Sequence, residues 1–343
     1  MKKPTKLTVA GNLIVDKIKM IDAYPDPTML CTISQLGQGI GGCAANTSAA
    51  LRCLSPHLEV SCIGLTGQDS DGLWLKSTLA GFGVDVSGIR QEPETSTSFT
   101  DVFTVKSTGE RTFFHSRGAN SLLDIRHINV DSLDCSIFHV GYALLLDSLD
   151  QKDDEYGTRM ARLLSMVSER GIKTSFDLVS ETGNRFKEVV TPSLPYCNYL
   201  IINEIEAGQL AGLSPRRTDK SLDTTALKAI CKQLLAKGVR ECVIIHAPEA
   251  SCGMRKDGSF SILGSLILPD SFIKGSVGAG DTFCAASLIG LAEGRSLTDI
   301  LRAASCAAAC NLTEANSTDG LVPLSEAIKL EDDYFRVNLA CTR

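Results

Sequence analysis

At 343 residues, 43% of them hydrophobic and 22% charged, the chain has the composition of a globular enzyme with one large or two ordinary domains, not of a disordered or fibrous protein. A formal net charge of −6 supplies no global field for nucleic acid or an anionic membrane, so any phosphate site must be local. No apolar run reaches the ~20 residues of a membrane span, and MKKPTK leads into LTVAG without a signal-peptide core.

In chain order, residues 7–12 (LTVAGN) read as a strand ending in glycine, and 43–54 (CAANTSAALRCL) as a helix. A strand over 59–65 and a helix over 71–82 follow. After residue 95 the texture changes: SFTDVFTV and RTFFHSR are β-branched and aromatic runs split by KSTGE, a hairpin signal. Alternation then resumes, with a strand at 136–141, a helix at 153–170, strands at 172–177 and 199–202, helices at 203–211 and 224–237 and a strand at 241–246. Asp257–Gly258 marks a hairpin, and helices at 280–293 and 297–311 close the series. Strands alternating with helices predict a mostly parallel sheet covered on both faces. The exposed hairpin, with strand-like residues 28–36, is expected to form a small β-flap. No repeat or flexible linker divides the chain, so 1–343 reads as one domain plus that flap.

Thirteen cysteines invite a disulfide or zinc reading, but there is no C-x-x-C pair. Cys62, Cys231, Cys242, Cys306 and Cys310 lie in apolar segments, and the last two stand four apart on a helical pattern. Buried, reduced thiols of a cytoplasmic protein are expected. The five histidines are scattered and suggest no metal cluster; His139, in an apolar strand, is expected to be a satisfied core residue.

Ligands of such sheets bind beyond the carboxyl ends of the strands. Asn12 and Asp16 follow the first strand, Gly41, Gly42 and Asn46 lie in a glycine loop opening the first long helix, and Asn203 and Glu206 follow YLII. Asp281 lies in GSVGAGDTF, residues 275–283, where Gly278, Ala279 and Gly280 let a ligand approach the backbone N–H groups at a helix N-terminus, an anion site. Together these suit a polyhydroxy ligand and a nucleotide. Three of them also have a bland reading: Asp281 and Asn203 as helix N-caps, Asp16 as a solvated loop residue. Gly37, Gly39 and Gly42 satisfy G-x-G-x-x-G, but the first strand closes at Gly11, too far away for a dinucleotide fingerprint. There is no Walker loop, H-E-x-x-H or G-x-S-x-G.

The combination of GGCAAN, INEIEA and GSVGAGDTF, in that order and at that separation, resembles the ribokinase-like (PfkB) carbohydrate kinase family, and RTFFHSRGAN resembles its flap strand and the G-A-N turn after it. The resemblance implies a three-layer α/β sandwich with a mostly parallel central sheet and a small β-sheet lid, inserted here from roughly 17–38 and 96–118. It implies ATP-dependent phosphorylation of a sugar-like hydroxyl, with Asp281 as catalytic base and Gly278, Ala279 and Gly280 as anion hole. Asn203 and Glu206 match the motif that places Mg²⁺, through water, and the ATP phosphates. Asp16, Gly42 and Asn46, with Asn12 and Gly41, match positions that hydrogen-bond substrate hydroxyls. His246 and Ser305 fall beside the nucleotide. No nucleic-acid or membrane partner is expected, and the apolar lid strands are expected to pair with a second copy or close over substrate.

Four departures stand out. Gly275, Ser276 and Val277 replace the Asp-Thr-Thr whose aspartate serves a monovalent-cation site in many members, which removes the ground for expecting potassium dependence. HAPEASCG is longer than the usual turn beside the adenine. Gly141 and Tyr142 stand where ribokinase offers the sugar an acidic residue, and the segment after Asp177 lacks the basic-aromatic pattern of many fructokinase-like members. A nucleoside kinase of the same fold, a non-catalytic sugar or nucleotide sensor and a dinucleotide oxidoreductase remain the competing readings.

Overall fold

The computed structural model describes residues 5–179 and 185–339, so part of the segment after Asp177 lies outside the described residues. Strand β1 (Lys6–Gly11) passes through Asn12 and Leu13 into β2 (Ile14–Ile21), and β3 (Ile33–Gly41) feeds helix α1 (Cys43–Leu54). Then come β4 (Glu59–Gly67), α2 (Ser70–Gly81), β5 (Asp85–Glu92) and the hairpin β6 (Ser98–Val105) and β7 (Arg111–Ser116). β8 (Ile137–Ala143) precedes the two-residue strands β9 (Lys152–Asp153) and β10 (Gly157–Thr158), α3 (Arg159–Glu169) and β11 (Lys173–Leu178). The second half runs through β12 (Tyr199–Asn203), α4 (Glu204–Ala211), α5 (Thr224–Ala236), β13 (Cys242–His246), β14 (Ala250–Arg255), β15 (Phe260–Gly264), α6 (Ala279–Ala292) and α7 (Leu297–Asn311).

Nine strands form the central sheet in the order β15-β14-β13-β12-β11-β8-β1-β4-β5, parallel except where β14 and β15 turn back at one edge. Period-two alternation distributes its side chains: Tyr199, Ile201, Cys242 and Ile244 enter one core, and Leu200, Ile202, Val243 and Ile245 the other. The first core is closed by α1, α6 and α7, the second by α3 and α5, which makes the three layers. α1 and α6 pack on each other, and Ala44, Ala45, Ala285 and Ala286 in them are fully buried. Both helices start at the carboxyl edge of the sheet. Among the described residues no helix is long and apolar enough to cross a membrane, and Cys62, Cys231, Cys242, Cys306 and Cys310 are buried free thiols.

A second, four-stranded sheet has the order β3-β2-β6-β7. It starts earlier than 17 and ends later than 38, because β2 continues directly from the connection after β1 and pairs along its whole length with β3 and β6. The strand expected over 28–36 lies instead at Ile33–Gly41. Asp16 consequently sits within a strand, opposite Gly39 and Thr100, and not in a solvated loop.

The helix expected over 153–170 begins only at Arg159. Asp153 Oδ1 accepts the N–H groups of Glu155 and Tyr156, an Asx-type turn that competes with helix, and Gly157 has φ 86°. Thr158 then caps α3 by accepting the Ala161 N–H. Strand β5, at the sheet edge, has no counterpart among the sequence-based expectations: its alternation is half polar because one side faces solvent.

Candidate active site

The site forms where β1, β8, β11, β12 and β13 end and α1 and α6 begin. Gly278 is the N-cap of α6 with φ 79°, a left-handed conformation, and a Cβ there would lie 2.5 Å from Ser317 Cβ. Only glycine satisfies both demands. The turn exposes the first helical N–H groups and the positive end of the helix dipole at one point. The Ala279 N–H donates to Ser276 O at 3.3 Å, a long contact that an arriving anion can replace.

Asp281 lies in the first turn of α6 and is 5% exposed. Its carboxylate does not cap the helix. It crosses to α1 and β8, where Oδ2 accepts from Asn46 Nδ2 at 2.9 Å and from the Tyr142 hydroxyl at 3.2 Å. Burial and the neighbouring Asp177 charge push its pKa up to about 7, against the pull of those hydrogen bonds and of His139. A carboxylate so placed can exchange a proton near neutral pH.

On one side of Asp281 stand the residues expected to hold an acceptor. Burial and the Asp281 charge also push Asp16 up to about 7, with Thr100 and Arg111 opposing. Gly41 packs against that carboxylate: a Cβ on it would lie 2.6 Å from Asp16 Oδ2. Gly42 caps α1 with φ 82°, and its missing side chain leaves room for Asn12 O. Asn12 Oδ1 and Asn46 Oδ1 are buried acceptors without a hydrogen-bond partner among the described residues. Buried polar atoms are seldom left so, and hydroxyl donors on a ligand would satisfy them.

On the other side, Tyr142, Asp177, Asn203, Glu206, Gly278 and Asp281 surround a cavity of about 300 Å³. Asn203 and Glu206 form a reciprocal capping box on α4: Asn203 Oδ1 accepts the Glu206 N–H at 2.9 Å and Glu206 Oε2 accepts the Asn203 N–H at 3.1 Å. The cap reading of Asn203 is therefore realised, and it presents both side chains to the cavity. A neighbouring cavity of about 720 Å³ is lined by His246, Phe283, Ser305 and mostly apolar side chains such as Ile205, Leu268 and Ala309. His246 stacks on Phe283 at 4.9 Å, and burial lowers its pKa to about 4, so the ring is neutral. Ser305 Oγ is bonded to Arg302 O at 3.1 Å and to Arg336 Nη1 at 3.0 Å. Ala247 and Pro248, from the lengthened turn after β13, line the same cavity.

The centre also holds Asp177, Cys284 and Tyr142, which are not among the sequence-based site candidates, and His139, which is the satisfied core residue expected. Asp177 ends β11, and its Oδ1 accepts the Tyr142 N–H at 2.7 Å; the strand-end rule that selected Asn203 would have selected it. His139 Nε2 lies 3.3 Å from Asp177 Oδ2, and Cys284 Sγ 3.8 Å from the same nitrogen, while His139 Nδ1 is 3.0 Å from Ser175 Oγ. Tyr142 carries no sequence signal for its contact with a helix 139 residues away. Beneath the second sheet, Arg111 of β7 donates to Ala315 O at 3.1 Å, against Gly275 of the altered lead-in to the glycine turn.

The sequence pattern described as pfkB family carbohydrate kinase matches residues 5–323. Ribokinase of Schizosaccharomyces pombe is 27% identical over 279 residues, 79% of this chain and 80% of that protein. Nucleoside kinase of Methanocaldococcus jannaschii is 23% identical over 222 residues, 64% of this chain and 67% of that one. Among solved structures, Arabidopsis thaliana ribokinase complexed with ribose and ATP has the same fold, with a TM-score of 0.76 at 19% identity, covering 96% of this chain and 99% of that one.

Proposed function

Because the chain belongs to the pfkB family of carbohydrate kinases, we propose that it transfers the γ-phosphoryl group of ATP to a hydroxyl of a sugar or sugar-like molecule, with Asp281 as the base. One observation carries this reading: Asp281 is buried between unpartnered hydroxyl-binding groups on one side and the glycine N-terminus of α6 on the other. An acceptor hydroxyl bound by Asn12, Asn46 and Asp16 presents its proton to Asp281, which removes it as the oxygen attacks phosphorus. The backbone of Gly278, Ala279 and Gly280 faces the charge that develops on the transferred group, and the bond to the leaving phosphate oxygen breaks. Positioning and electrostatics do most of this work.

The larger, apolar cavity beside His246, Phe283 and Ser305 fits an adenine, and its junction with the polar cavity at Asn203 fits the phosphates. Glu206 and Asn203 offer side-chain oxygens to the polar cavity, which suits a hard cation: Glu206 would hold Mg²⁺ through water. When bound, that ion would neutralise charge on the phosphates. Arg111, donating to Ala315 O where the lead-in has lost its acidic residue, supports turnover without a monovalent cation.

A nucleoside acceptor is the second reading. Beside Asp16, under the second sheet, a cavity of about 240 Å³ is lined by Ile18, Met20, Val102 and Phe113, which suits a flat apolar group attached to the sugar. The second sheet is then the lid over the acceptor. Its exposed edge strand β3, with Leu36 73% exposed, and Phe114 on the opposite edge support pairing with a second copy.

The test is ADP release by purified protein with Mg-ATP and a panel of sugars and nucleosides. Phosphorylation of at least one acceptor is expected. ATP that binds while no acceptor is phosphorylated would favour the non-catalytic sensor; no ATP binding at all would sink the proposal.

A further inference from the structure

Tyr142 touches the carboxylate of Asp281, and the chemistry above does not use it. It has φ 58°, a left-handed backbone that aromatic residues rarely adopt and that persists only when its surroundings hold it. They do so from both sides: the Tyr142 N–H donates to Asp177 Oδ1 at 2.7 Å, and its carbonyl accepts from Asn12 Nδ2 at 3.4 Å. The result aims the phenol at Asp281, whose Oδ2 accepts its hydroxyl at 3.2 Å. Asn46 donates to that same oxygen.

We propose that Tyr142 is a positioning residue for the base: its hydroxyl and the Asn46 amide grip Oδ2 and turn Oδ1 to the acceptor hydroxyl. Burial and the charges of Asp281 and Asp177 keep the phenol protonated far above its usual range, so it is a permanent donor. A donor to the charged form lowers a carboxyl pKa, so the hydroxyl works against the desolvation that raises Asp281. The other titratable groups facing this carboxylate are Asp177 on β11, His139 on β8, Cys43 on α1, Cys284 on α6 and Asp16 on β2, with Glu206 and His246 across the cavity.

The inference rests on Asp281 being the base, and two readouts keep its failure separate from that of the kinase reading. Tyr142→Phe removes one hydroxyl. The acid limb of its kcat/KM profile is expected to move up by about one pH unit, with the rate at pH 7 down about fivefold and the KM for ATP unchanged. Tyr142→Gly, which suits a φ of 58°, should give the same displacement with the strain relieved. Independently of any acceptor, the Asp281 carboxyl is followed by ¹³C NMR of aspartate-labelled protein, assigned with Asp281→Asn. Its titration should rise in both variants in parallel. If the wild type phosphorylates nothing, the NMR titration alone decides. An Asp281 titration unmoved in Tyr142→Phe, with the fold intact by thermal melting, overturns the proposal.

Discussion

Asp281 combines two properties that oppose each other in water: it is buried among other acids, and its proposed task requires it to be charged. Its pKa of about 7 sets the pH dependence. As the base it acts only when deprotonated, so kcat/KM should rise through about pH 7 and level off above it; a rate already level at pH 5 would contradict the assignment. The stability linkage has the opposite sign. The folded state holds this proton more tightly than the unfolded chain does, so stability falls as pH rises from about 4 to 7. Asp281→Asn removes the penalty and should be more stable than the wild type at pH 8, on the order of 2 kcal/mol, with the gap closing towards pH 4. Equal melting temperatures at pH 8 would mean that the carboxyl is not strained. Asp281 and Asn46 were legible because they sit in short motifs at helix starts. Asp177, at the end of β11, falls under the strand-end rule; the contact of Tyr142 with Asp281 does not, because it exists only once β8 lies against α6.

At the scale of elements, the N-terminus of α6 is the part that admits least change. Gly278→Ala forces a side chain into a left-handed turn and onto Ser317, and should cost about 1–3 kcal/mol in a denaturant titration. It should also reduce turnover more than ATP affinity, since the damage falls on the group in transit; a wild-type rate would remove the turn from the chemistry. The adjoining Arg111 contact makes a separate prediction: turnover should be the same in potassium chloride and in choline chloride at equal ionic strength. A potassium requirement would mean that the guanidinium does not serve that loop. Elements with a clear start signal were legible to the residue, as with α1 over 43–54. The beginning of α3 was not, because the acidic run before it is compatible with helix and only the Asp153 turn and Gly157 decide against it. For Asn203 and Glu206 the two sequence readings do not exclude each other: one capping box orients both side chains towards the cavity.

For the molecule as a whole, alternating strands and helices gave the sandwich, and the buried strands gave its parallel character. The strand order, with β1 inside the sheet between β8 and β4, is a product of crossovers that no local pattern encodes. The extent of the second sheet was misjudged for a related reason. Gly37, Gly39 and Gly41 make β3 look like a loop, and pairing with β2 overrides that weak propensity. If its exposed edges pair two copies, light scattering should give a dimer, and Leu36→Lys should give a monomer with an intact fold; a wild-type monomer would leave the sheet as a lid alone. The central claim spans both sheets: a hydroxyl held under one is deprotonated by a carboxylate on the other layer and attacks a phosphate at a helix end. The most direct measurement is transfer of the labelled γ-phosphoryl group of ATP to an acceptor, comparing wild type with Asp281→Asn. Label should appear on an acceptor hydroxyl with the wild type, and transfer by the variant should fall by about 10²- to 10⁴-fold while ATP binding is retained. Transfer at a near wild-type rate by Asp281→Asn would contradict the account.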